Sequence, residues 1–148
     1  MTDIARPTRG LKNRNPGNLR NNPSFVWSGQ VGIDSKGFVV FDNDADGIRA
    51  MVIDLHTDFV RDQQTSLTTL IREYAPPGDG NNTRAYIAFV AKETGLDPVA
   101  PITSFDRPLA AALARAIIRM EQGIQPYDDA TIRAGVDAAF LHFSPSAI

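Results

Sequence analysis

Cysteine is absent from the 148 residues. That removes disulfide staples, thiolate metal ligands and cysteine nucleophiles together, and leaves carboxylates, histidine and hydroxyls as the groups available for catalysis. Long apolar runs are missing as well: nothing approaches the roughly 20 residues a membrane-spanning helix needs, and Met1 to Arg14 has no apolar core of a secretory signal. These absences predict a chain without membrane insertion and without a signal peptide. An excess of positive charge is also lacking. The formal net charge is −2, which does not supply the broad positive field that dominates nucleic-acid binding, so nucleic acid is not an expected partner. Glutamate is scarce: Glu73, Glu93 and Glu121 are the full set, and each can be weighed individually.

What charge there is lies unevenly. Arg6, Arg9, Lys12, Arg14 and Arg20 face only Asp3 within the first twenty residues. Residues 1–12 therefore read as a basic arm, 13–143 as one domain and 144–148 as a loose tail. A chain of this length buries one substantial core. Asn13-Arg14-Asn15-Pro16-Gly17-Asn18 concentrates turn formers and predicts an ordered loop. Trp27 to Ile33 and Gly37 to Phe41 are β-type segments parted by Asp34-Ser35-Lys36, a hairpin pattern. From Asp46 onward the period becomes helical. Apolar faces and local caps predict five helices, opening near Asp46, Ser66, Asn82, Asp106 and Asp128 or Asp129. Pro76-Pro77, Gly95 and Gly123 act as stops. The expected fold is mainly α within the α+β class, with one small hairpin.

Glu73 falls off the face made by Leu67, Leu70, Ile71 and Tyr74, and reads as a solvated helix residue. Glu121 sits at the edge of the fourth helix's apolar stripe and at its C-terminal end. Partial burial and the negative end of the helix dipole both favour the protonated carboxyl that a general acid needs. A glutamate facing water is the plainer alternative. Glu93 competes, because it shares a face with Tyr86, Phe89 and Val90 just before a terminating glycine, and periodicity does not choose between the two. Its plainer reading is a carboxylate covering the core edge and reaching water or an arginine. Asp42-Asn43-Asp44-Ala45-Asp46-Gly47 imitates the opening of an EF-hand loop, but the position of the bidentate acid is Ile53, so an acidic helix start is the better reading. His56 and His142 lack metal-ligand spacing, and no metal or cofactor is expected. Trp27 and Tyr127 could stack on sugar rings or belong to the core.

The run from Gly10 to Arg20 resembles the opening of a phage and prophage family of virion-associated or endolysin-like, lysozyme-type proteins. The resemblance continues through Trp27-x-Gly29-Gln30-x-Gly32, Gly37 to Phe41, Gly47 to Ala50, Tyr74-Ala75-Pro76-Pro77, Asn82 to Ile87 and Ile118 to Tyr127. Two segments are also similar to pieces of lytic transglycosylases: Glu121 at a helix end, and Thr83-Arg84-x-Tyr86-Ile87. Their order along the chain is reversed, which implies a circularly permuted, lysozyme-like arrangement. The resemblance implies a peptidoglycan-cleaving muramidase or lytic transglycosylase. Glu121 and Tyr86 would be its catalytic residues, and Asn15, Asn18, Arg20, Gln30 and Tyr127 would bind glycan or order the site. Peptidoglycan and virion or delivery-system proteins are the implied partners. The implied place of action is the cell wall, reached in a virion or through other machinery. A non-catalytic virion or wall-binding protein with the same groove is the alternative. A hydrolase would need a second acid, with Asp42, Asp44, Asp46, Asp128 and Asp129 all open.

Overall fold

The computed structural model describes residues 8–143. Expectations about residues 1–7 and 144–148 lie outside it. Among the described residues the order is α1 (Arg9–Lys12), β1 (Gln30–Ile33), β2 (Val39–Phe41), α2 (Asp44–Val60), α3 (Leu67–Tyr74), a 3-10 turn (Pro77–Asp79), α4 (Thr83–Thr94), α5 (Arg107–Gln122) and α6 (Asp129–Phe143). The mainly helical α+β expectation holds, with one helix more than the periodicity predicts.

Local chemistry sets most boundaries. Asn43, Ser66, Asn82 and Asp106 each accept the backbone N–H three residues on, and Ser66 forms a reciprocal capping box with Thr69. Gly95 and Gly123 close α4 and α5 in the left-handed conformation. The Asp42 to Gly47 run is indeed a helix start: Asn43 accepts from the Asp46 N–H while its own amide donates to the Asp46 carboxylate. The core joins Ile48, Met51, Val52 and Leu55 of α2 to Leu70 and Ile71 of α3, Leu113, Ile117 and Ile118 of α5, and Ile132 and Val136 of α6.

The short helix α1 departs from the predicted arm. Thr8 caps it, and Gly10 is buried against α5, where an added Cβ would collide with the Gln122 amide nitrogen. Four residues carry too little periodicity to reveal such a helix; tertiary packing holds it. The hairpin pairs Ile33 with Val39 and Gln30 with Phe41. Val39 and Phe41 face the core, while Val31 and Ile33 face out. The asparagine-rich loop runs along the free side of β2: Val39 N–H donates to Leu19, Phe41 N–H to Asn13, and Arg20 bridges to Phe38.

Candidate active-site cleft

The loop between Asn13 and Arg20 is built from inside. Asn15 is completely buried; its amide nitrogen donates to the carbonyls of Leu19 and Val39, both at 2.9 Å, and its oxygen accepts the Leu19 N–H at 2.9 Å. Of the two parts expected of it, glycan contact or ordering the site, this geometry serves the second. Asn18 adopts the left-handed conformation at φ 53°, which asparagine tolerates better than most residues. Gly47 of α2 seats the loop from beneath, since a Cβ there would overlap the Arg14 carbonyl oxygen. Gln122 fastens it to α5 by donating to the Pro16 carbonyl at 2.7 Å, while the Thr8 hydroxyl donates to the other end of the same amide.

That clamp brings the loop to Glu121. Asn18 donates to one carboxyl oxygen at 2.7 Å and the Tyr86 hydroxyl donates to the other at 2.7 Å. Tyr86 is buried, and burial above all pushes its phenol far up, so it remains a donor at any working pH. Tyr74, also pushed up by burial, donates to the Gly17 carbonyl at 2.7 Å and closes the back of the loop. Glu121 is half-buried at one wall of a cleft of about 390 Å³.

The lining also includes Phe25, Trp27, Phe38, Arg9, Arg20, Asp54, Glu73 and Asp79. Phe25 and Trp27 meet edge to face, their ring centroids 4.9 Å apart. Arg9 and Arg20 both stand over the Phe38 ring, 5.1 and 4.6 Å from its centroid. Each guanidinium also faces a carboxylate, Arg9 that of Asp34 and Arg20 that of Asp79; apolar ring faces beside such polar groups suit a polyhydroxylated ligand.

Gln30 and Tyr127 lie outside the cleft lining. Gln30 accepts the Trp27 N–H at 3.0 Å and so orders the turn that presents the aromatic rim. The Tyr127 hydroxyl is buried without a hydrogen-bond partner among the described residues. Glu93 is committed elsewhere, to Arg119 at 2.5 Å, as its plainer reading had it. The five aspartates open for a second acid do not line the cleft; Asp54 and Glu73 do. Asp54 escapes notice because it sits among apolar residues of α2, and Glu73 because the face that periodicity assigns to solvent borders the cleft.

Burial, and behind it the charge of Glu73, pushes Asp54 from the ordinary 3.8 up to about 6. The folded state then binds more protons than the unfolded one, so this contribution is fully present below about pH 4 and is lost as pH rises through 6. Such a shift is equivalent to at most about 3 kcal/mol. In urea unfolding, Asp54→Asn should exceed wild type by about 1–3 kcal/mol at pH 7.5 and match it near pH 4. An equal difference at both pH values would dismiss the effect.

Over 142 residues the chain is 32% identical to "Protein P5" of Pseudoalteromonas phage PM2, an alignment that covers 94% of this chain and 86% of the phage protein. The chain belongs to the Protein P5 family. No family model matches it. Membership makes it a phage-type protein, and the name Protein P5 specifies no activity. No described helix is long and apolar enough to cross a membrane.

Proposed function

We propose that this Protein P5 relative cleaves the glycan strands of bacterial peptidoglycan, as a muramidase or lytic transglycosylase of permuted lysozyme-like architecture. The observation that carries this reading is the glutamate at the end of α5, both of whose carboxyl oxygens are held by side chains, at the wall of an aromatic-rimmed cleft. Glu121 protonates the leaving glycosidic oxygen. Asn18 and Tyr86 are positioning residues that fix the carboxyl's plane. In the transglycosylase form a hydroxyl of the substrate attacks the same sugar carbon as the glycosidic bond breaks, its proton returns to the Glu121 carboxylate, and an anhydro end is left. In the hydrolase form water attacks, its proton accepted by a second carboxylate, and a reducing end results. Asp54 suits that second part: it lines the same cleft, and with its titration near 6 it is largely ionised at neutral pH yet basic enough to take a proton.

A virion-carried protein is compatible with the phage relative, and such a carrier would bring the cleft to the wall. The test is release of soluble muropeptides from purified sacculi, with mass spectrometry of the new ends to separate the two forms. Tyr86→Phe should lower turnover about 10- to 100-fold, the equivalent of one hydrogen bond to a charged group, and should shift the pH optimum while leaving wall binding unchanged. Unaltered turnover in that variant would remove Tyr86 from the mechanism.

A further inference from the structure

A second hollow, of about 790 Å³, opens beside the cleft between Arg72 of α3 and Arg84 of α4, with Pro77 and Ile87 among its walls. Asn81 lines both hollows. The strap of chain that parts them is pinned: the Thr83 hydroxyl donates to the Ala75 carbonyl at 2.6 Å and the Asn81 amide to the Pro76 carbonyl at 3.1 Å. Ala75 and Pro76 in turn line the cleft. A ligand lying in the cleft therefore has the second hollow at a fixed place, one strap away.

The two hollows differ in charge. In the cleft, Arg9 and Arg20 are outnumbered by Asp54, Glu73, Asp79 and Glu121, and each of the two already faces a carboxylate. The lining of the second hollow has two guanidiniums and no acid. The ion pairs among the described residues all engage other arginines, so Arg72 and Arg84 keep their charge uncompensated there. Arg84 also stands in the first turn of α4, a turn without an acid, where a cation opposes the positive end of the helix dipole. An anion from outside relieves both conditions. We propose that this hollow holds a carboxylate of the stem peptide borne by a glycan strand in the cleft, so that the substrate is peptide-bearing strand and not bare glycan. The inference rests on the reading of the cleft as a peptidoglycan site. Stem peptides are short and carry free carboxylates, which match the planar donor fork of a guanidinium. Pro77 and Ile87 offer apolar surface to the methyl groups of such a peptide. The acids of the cleft repel the same carboxylates, which favours their crossing the strap.

The experiment compares intact sacculi, free of phosphate polymers, with the same sacculi stripped of stem peptides by an amidase. Wild type should show an apparent KM about 10- to 100-fold lower on the intact material, the scale of a hydrogen bond to a charged group, with kcat little changed. The double variant Arg72→Gln, Arg84→Gln, altered at two exposed positions, should lose that preference, its KM on intact sacculi rising until the two substrates converge. A merely structural role for the arginines would raise KM on both substrates alike and leave the preference in place. Equal KM values for wild type, or a variant that keeps the wild-type preference, would overturn the proposal. If wild type cleaves neither substrate, the reading of the cleft as a glycosidase fails, and co-sedimentation still decides the hollow. Wild type should then bind intact sacculi roughly tenfold more tightly than stripped ones, and the variant should bind both alike; equal binding by wild type rejects the hollow. Should the variant lose affinity only for walls that carry phosphate polymers, the anion is a phosphate and the stem-peptide assignment is wrong.

Discussion

Glu121→Gln should abolish muropeptide release, a loss of at least about 10²–10⁴-fold, while the domain stays folded. The glutamine is isosteric and keeps an oxygen to accept from Asn18, and its amide can donate to the Tyr86 hydroxyl, which accepts as readily as it donates. What disappears is the transferable proton. Glu93→Gln, run beside it, should leave release unchanged, because its ion pair with Arg119 lies away from the cleft. Full activity in Glu121→Gln would end the assignment of the acid. Wild-type protein that binds sacculi from several bacteria and releases nothing would turn the cleft into the binding groove of a virion or wall-binding protein.

Asn15→Ala should destabilise the domain by about 3–5 kcal/mol, a large share of the stability of an ordinary domain. Three buried hydrogen bonds end on this one side chain, and two of their partners, the Leu19 N–H and the Val39 carbonyl, lie within the packed interior. Alanine removes all three and admits no replacement, so the stranded groups carry their desolvation penalty into the folded state. Asn15→Asp should be nearly as damaging, since a carboxylate cannot donate to two carbonyls. Urea unfolding followed by circular dichroism measures both. A cost below about 1 kcal/mol for Asn15→Ala would mean the loop does not depend on its asparagine, and would detach Asn18 from any fixed relation to Glu121.

The helices were legible because their signals are short-range. Asn43, Ser66, Asn82 and Asp106 cap within three residues, and a glycine that must turn left-handed stands where α4 and α5 stop. The candidate cleft was legible in part. Glu121, Asn18 and Arg20 line it and Tyr86 bonds Glu121 from outside the lining, whereas Gln30 orders a turn and Tyr127 lies outside it with a buried hydroxyl. Gln122 was missed altogether. A buried glutamine beside a helix-terminating glycine has no sequence signature, and its importance comes from reaching Pro16, 106 residues away along the chain.

By itself the sequence determined near which residues five of the helices open and where three of them stop, that a hairpin forms, that no stretch is long and apolar enough for a membrane-spanning helix, and that few acids could serve as a proton donor. These properties depend on caps, periods and counts, which are local or additive. Only the tertiary structure decided that α1 belongs to the domain, that the asparagine-rich loop faces Glu121, and that Asp54, Asp58 and Glu73 converge. Proximity between residues far apart in sequence arises from packing of whole elements, and burial, the largest cause of each large upward pKa shift here, exists only once that packing is complete.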